Sequence, residues 1–284
     1  MPHAFALILS NHHIQGRKMK KYDELEKHDF ERDMYVVKSN TLIQKSRYRL
    51  TNEEQRILLY LISKIRPDEK ENRYHTVSIL EYAKVCGVNI KDNKGLYAYV
   101  KKTIKSLADK SFWISFDGRT EKLLRWIDKA EINKYLGDIS IKLNDELMPY
   151  LLQLKSNYTQ YRLLYVLTMH SSKYSIRMYE LFRSYLYQGK TETEKIFEVD
   201  SFMRLIGIED KVIETYLQNI TMFKKNVISK ALEEINERTD IKVNVEYRKE
   251  RKRITELKFF IRANENEDRN MFRDYYELDA GLKE

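Results

Sequence analysis

With 284 residues, 42% of them hydrophobic and 33% charged but only 3 Pro and 8 Gly, the chain has the composition of a globular protein of two ordinary domains, which excludes disordered and fibrous classes. Its 52 Lys+Arg against 43 Asp+Glu leave a formal net charge of +9, which favours a polyanionic partner because neutralised phosphates release their condensed counterions. The single cysteine, Cys86, excludes an internal disulfide and a cysteine-based zinc site, and no apolar run reaches the ~18 residues of a membrane span, so the expectation is a cytosolic protein with no membrane partner.

Residues 1–34 carry no sustained helical or strand period and are read as a loosely ordered N-terminal extension; Met19-Lys-Lys looks like a natural start. A first domain is expected over 35–140. Thr51-Asn-Glu-Glu54 is a capping box, and Ile57, Leu58, Leu61, Ile62 and Ile65 follow at helical spacing until Pro67 stops the run. A second box, Ser78-Ile-Leu-Glu81, opens a short helix that ends at Gly87. The next helix, from about Gly95 to Lys110, sets Leu96, Val100, Ile104, Leu107 and Ala108 on one face and Lys102, Lys105, Ser106 and Asp109 on the other, with Lys101 and Tyr97 nearer the packed side. Strands are expected at Phe112–Phe116, after the hairpin signal Asp117-Gly118 at Leu123–Ile127, and at the alternating Ile139, Ile141, Leu143.

A second domain is expected over 141–264. Asn144 caps a helix that includes Leu147, Tyr150, Leu151 and Leu154; Tyr161–Leu167 suits a strand or a helix. From Ser175 a helix turns Tyr179, Phe182 and Leu186 inward. Lys195–Val199 reads as a strand, Asp200 as an N-cap and Ser201–Ile206 as a short helix stopping at Gly207. A long helix, from about Asn219 to Glu237, buries Phe223, Val227, Ala231 and Ile235. Two alternating strands follow, Ile241, Val243, Val245, Tyr247 and then Leu257, Phe259, Ile261. Residues 265–284 are a charged tail.

The two halves repeat one pattern. Tyr82-Ala-Lys-Val-Cys-Gly-Val88 is echoed by Phe202-Met-Arg-Leu-Ile-Gly-Ile208, and Tyr99-Val-Lys-Lys-Thr-Ile104 by Phe223-Lys-Lys-Asn-Val-Ile228. Each time a short helix stops at glycine, a basic amphipathic helix follows and a strand pair closes the unit. Helix, turn, helix and wing in duplicate, in a basic chain, point to double-stranded DNA. In the second unit Lys225, Asn226 and Ser229 lie opposite the apolar stripe and suit base edges, with Lys230 beside them. Lys224 projects nearer the stripe and suits a phosphate. The segment Arg248-Lys249-Glu250-Arg251-Lys252-Arg253 reads as a wing tip, because so dense a basic cluster repels itself unless phosphate offsets it. The first unit offers Lys94, Lys102 and Lys105, and Arg119 in the turn Asp117-Gly118-Arg119-Thr120, which is read as its wing.

Chemistry-bearing motifs are sparse. The glycines are scattered singly and make no phosphate loop; His12-His13 does not alternate as a paired-histidine metal site, and His28, His75 and His170 have no partner at ligand spacing. Most of the 21 tyrosines fall in helical stripes and suit cores. No catalytic residue, metal or cofactor is expected.

Three stretches, Leu50-Thr-Asn-Glu-Glu-Gln-Arg-Ile-Leu-Leu-Tyr60, Ser175-Ile-Arg-Met-Tyr-Glu-Leu-Phe182 and Phe223-Lys-Lys-Asn-Val-Ile228 through Glu234-Ile-Asn236, resemble the replication initiator (Rep) proteins of theta-replicating, iteron-containing bacterial plasmids. The resemblance runs from Tyr35-Val-Val-Lys-Ser-Asn40 to Arg262. It implies an α+β fold of two tandem winged-helix domains that bind repeated origin sites as a monomer, the C-terminal domain supplying most sequence readout. It also implies a homodimer, formed through the N-terminal domain, that represses its own gene, and recruitment of the host initiator and replicative helicase without catalysis. The alternatives are a winged-helix transcription regulator and a rolling-circle relaxase.

Overall fold

A computed structural model of the chain describes residues 35–66, 69–88, 93–115, 119–186 and 190–264. The extension 1–34, the turn residues Asp117 and Gly118 and the tail 265–284 lie outside the described residues. An arm leads in: strand β1 (Tyr35–Ser39), helix α1 (Asn40–Lys45), whose first turn is capped by the Ser39 hydroxyl accepting from the Leu42 amide, and the short β2 (Ser46–Arg47). Helix α2 (Asn52–Ser63) starts at the expected capping box. The Thr51 hydroxyl accepts from the Glu54 amide while the Glu54 carboxylate accepts from the Thr51 amide, which satisfies two amides that have no partner within the helix.

Strand β3 (His75–Ser78) and helix α3 (Ile79–Val85) follow, and α3 ends where Gly87 takes φ +67°, the left-handed conformation that glycine adopts without steric cost. Helix α4 (Asn93–Ala108) buries Leu96, Val100, Ile104 and Leu107, the stripe expected from the spacing. Strands β4 (Ser111–Ser115) and β5 (Glu121–Arg125) form a hairpin, and β6 (Ile127–Asn133) and β7 (Asp138–Leu143) form another.

These hairpins correct the sequence reading of the first wing. The hairpin that carries Arg119 pairs with β2 in a sheet of order β2-β4-β5, whereas β6 and β7 join the strand before α3 in a sheet of order β3-β7-β6. The first unit's wing is therefore the β6–β7 hairpin, its tip at Lys134-Tyr135-Leu136-Gly137, and the β4–β5 hairpin is an insertion ahead of it. Local turn chemistry cannot distinguish the two. The deciding fact is which hairpin pairs with a strand some sixty residues earlier.

Asn144 caps the next segment as expected, its side chain accepting from the Glu146 amide. The segment is a 3-10 helix, Asp145–Tyr150, that ends before Leu154; Pro149, which has no amide hydrogen to donate, sits inside it. The ambiguous stretch is both things in turn, strand β8 (Tyr158–Arg162) and then helix α5 (Leu163–Leu167). Helix α6 (Ser175–Arg183) is buried on every side.

The second unit continues with β9 (Glu192–Glu198) and α7 (Val199–Leu205), which stops before Gly207 at φ +85°. Glu198, not Asp200, stands at the N-cap of α7. Asp200 lies in the first turn, where it accepts from the Ser201 amide and binds Arg204 at 2.6 Å. Helix α8 (Asp210–Gln218) was not expected, although Val212, Ile213, Tyr216 and Leu217 fall at helical spacing; of these Ile213 alone is buried. Helix α9 (220–238) comprises Ile220–Phe223, a π-helical turn Lys224–Ser229 and Lys230–Arg238. Strands β10 (Ile241–Glu250) and β11 (Arg253–Ala263) close a sheet of order β10-β11-β9. In both units the strand ahead of the short helix pairs with the last strand of the wing. The duplication seen in sequence is a duplication of topology, and the chain is an α+β protein of two tandem winged helices.

A buried seam joins the units. Strand β1 pairs antiparallel with β8, Val37 opposite Gln160, across the 140/141 boundary drawn from sequence. Lys38 on β1 meets Glu180 on α6 at 2.7 Å, both side chains almost wholly out of solvent, and Tyr161 and Tyr48 also donate to that carboxylate. Arg177 donates to the Ser46 carbonyl at 2.8 Å and lies over the Tyr48 ring. A buried charge is tolerated only when paired and hydrogen-bonded, and this cluster meets both conditions.

Candidate nucleic-acid interface

The second unit's site is built from α9 and the β10–β11 wing. Phe223, Val227, Ile228, Ala231 and Ile235 are buried, which leaves Lys225, Asn226, Ser229 and Lys230 exposed on the opposite face, as the helical wheel requires. The π turn falls on these residues. A π turn is wider than an α-helical one, a distortion that recurs at functional sites. Lys224 is half-buried, and its ammonium sits 3.9 Å from the centre of the Tyr247 ring on β10, a cation–π contact that ties helix to wing. Burial pushes the Tyr247 hydroxyl's pKa up.

Two further side chains set the angle of α9. The Asn236 side chain bonds both the amide and the carbonyl of Val243, at 2.6 and 2.9 Å, fixing the helix end against β10. Glu234 accepts from the His170 and Ser171 amides and from the Ser175 hydroxyl. Burial alone raises the Glu234 pKa, yet the Ser171, Ser175 and His170 donors bring it below the ordinary carboxylate value. Both residues lie in a stretch singled out in sequence, but their positioning role was not legible there because their partners are on other elements.

At the wing, Arg248 lies 3.8 Å from Glu246 and 3.7 Å from Glu256, so part of its charge is met within the sheet. Lys249, Arg251, Lys252 and Arg253 are exposed around the turn that follows a bulge at Arg248/Lys249. Arg251 holds φ +54°, a left-handed conformation that disfavours a side-chain-bearing residue. Helix face and wing tip together present a basic surface suited to a groove edge and its phosphates.

The first unit's counterpart is a groove of about 760 Å³ between α4 and β6, lined by Lys94, Tyr97, Lys101, Lys105, Ile132 and Lys134 among others. Lys94, Lys102 and Lys105 are exposed on α4, though Lys105 is held by Asp109 at 2.6 Å. Lys101, expected nearer the packed side, is also exposed and lines the groove. Arg119 is exposed on the inserted hairpin, apart from the wing of this unit. Lys134 was missed because the β6–β7 turn was not recognised, although Asn133 and Gly137 around it are turn residues. Among the described residues, no group of three or more His, Cys, Asp or Glu side chains gathers as a metal site, and no helix is long and apolar enough to cross a membrane.

Fold and surface together define a tandem winged-helix protein with one basic face on each unit. A family model described as "Initiator Replication protein, WH1" matches residues 35–183, and one described as "Initiator Rep protein, WH2" matches residues 198–261. The chain belongs to this family of initiator replication proteins. It is 30% identical over 174 residues to the PI protein of Escherichia coli, a match covering 56% of this chain and 56% of that protein, so the chain spans about half the length of that relative. A solved structure described as "Crystal structure of Pi initiator protein in complex with iteron DNA" superposes with a TM-score of 0.63 at 20% identity, covering 83% of this chain and 99% of the other. At that identity the likeness establishes the shared fold.

Proposed function

We propose that this chain is a plasmid replication initiator that binds directly repeated origin sites, iterons, as a monomer. The observation that carries the reading is the exposure of Lys225, Asn226, Ser229 and Lys230 on α9 together with the basic Arg248–Arg253 wing, in a chain of the initiator family. The solved relative was crystallised with iteron DNA, which supports the same class of partner. In this reading the second unit reads base edges and anchors on phosphate, while the first adds affinity through Lys94, Lys102, Lys105 and, on the inserted hairpin, Arg119. The two linked modules gain avidity when their spacing matches the DNA helical repeat. The protein acts in the bacterial cytoplasm without catalysis. It helps open the origin and recruits the host initiator and helicase, while a homodimer formed through the first unit represses its own gene. Footprinting on the tandem repeats beside the coding sequence tests the proposal: protection repeating with the period of those repeats is expected, and protection of a single operator alone would instead establish a transcription regulator.

A further inference from the structure

The two wings end in opposite chemistries. The second unit's tip is basic, whereas the first unit's tip carries Tyr135 and Leu136, 96% and 65% exposed. The backbone that carries them is held by an ordered turn. The Asn133 side chain accepts from the Tyr135 and Leu136 amides at 3.0 and 3.1 Å, and the Gly137 amide donates to the Asn133 carbonyl at 3.0 Å. The Gly137 carbonyl in turn accepts from the first amide of α3, at Ile79, and the Tyr97 hydroxyl on α4 donates to the Asn133 carbonyl at 3.1 Å. The tip is thus bonded to both helices of its helix-turn-helix. Lys134 is next to it in sequence and lines the groove of α4 together with Lys94, Lys101 and Lys105.

Resting on the DNA-binding reading above, we propose that Tyr135 and Leu136 form an apolar wedge that enters the minor groove and partly unstacks one base step, with Lys134 and the α4 lysines on the flanking phosphates. The Leu136 side chain and the Tyr135 ring gain little from phosphate or water, although the Tyr135 hydroxyl can hydrogen-bond either. A base step supplies an apolar face, and lysines on either side direct the tip to a polyanion whose interior is apolar. A preorganised turn avoids the ordering cost that a flexible tip would meet on insertion. Unstacking by the first unit would also serve an initiator, since a weakened step is a place where strands begin to separate.

The test uses the full chain and a duplex that it selects from a random-sequence library, with 2-aminopurine placed at successive steps. Wild type is expected to raise fluorescence at one step outside the segment protected by the second unit. The Tyr135→Ser, Leu136→Ser double variant should abolish that rise and weaken binding about tenfold, the order expected for a lost stacking contact. Its salt dependence should match wild type, because an apolar contact releases no counterions. Both residues are exposed, so equal thermal unfolding is expected, and Tyr135→Phe should retain the signal. Unchanged affinity and fluorescence in the double variant would overturn the wedge, as would unchanged DNA binding with altered sedimentation, which would make the tip a contact between copies. Failure of wild type to select any duplex would instead overturn the DNA-binding reading itself.

Discussion

Gly87 and Gly207 end equivalent helices with equivalent backbone, yet their surroundings differ. A Cβ added at Gly87 meets nothing within 4 Å, whereas one at Gly207 falls 2.3 Å from the Tyr48 carbonyl oxygen, on the arm of the first unit. Gly87→Ala should therefore cost only the left-handed penalty, about 1 kcal/mol, while Gly207→Ala should cost roughly 2–5 kcal/mol because backbone at the seam must also move. Urea unfolding of the two variants checks the difference, and equal losses would mean that the seam yields freely. Arg251, like Gln153 and Asn157, holds a backbone conformation that its side chain disfavours. Arg251→Gly relieves about 1 kcal/mol of left-handed strain but gives back a similar amount in unfolded-chain entropy, so stability should hold within about 1 kcal/mol. The slope of log affinity against log salt should nevertheless fall by about 0.9 if the guanidinium meets a phosphate, as titrations at several salt concentrations would show.

At the scale of elements, helix α9 was legible because a basic amphipathic stripe is a local pattern. Phe223, Val227, Ala231 and Ile235 went inward and Lys225 and Asn226 outward, as their spacing required. Lys225→Ala or Asn226→Ala should cost about 1–3 kcal/mol of binding and relax preference at one base position, measured by competition among single-base variants of the selected duplex. Uniform weakening on every sequence would make them phosphate contacts. The π turn and the Lys224–Tyr247 contact were not legible, since both depend on how α9 beds against β10. The same holds for the first wing. Two hairpins follow α4, and nothing in either one specifies which of them pairs with β3.

Across the whole molecule, the seam couples the units through groups that composition assigns to the surface. Glu180 is fully buried; burial alone raises its pKa, but the Lys38 ammonium, the Tyr161 hydroxyl and Arg177 bring it below the usual 4.5. A carboxylate depressed in the folded state contributes stability that is present above its unfolded pKa and lost as pH falls through the folded one. Lys38→Met removes the main downward influence, leaves a buried charge without its counterion and should cost about 3 kcal/mol near neutrality. Because burial then raises the Glu180 pKa, protonation of Glu180 favours the folded state of the variant, so its stability deficit against wild type should shrink as pH falls through the carboxylate range, which urea unfolding followed by circular dichroism at several pH values would show. A deficit that does not change with pH would mean that the tyrosine hydroxyls and Arg177 suffice.

The amino-acid sequence by itself determined the elements whose cause is local. These are the capping box at Thr51, the glycine stops at 87 and 207, the buried stripes of α2, α4 and α9, the alternating strands of the second wing and the repetition that makes them two copies of one unit. Tertiary structure alone decided the wing of the first unit, the pairing of β1 with β8, the Lys38–Glu180 pair and the side chains that seat α9. Helix caps and stripes follow from residues three or four apart. Strand pairing and buried ion pairs join residues up to 142 positions apart, and no short-range pattern specifies which partner is chosen.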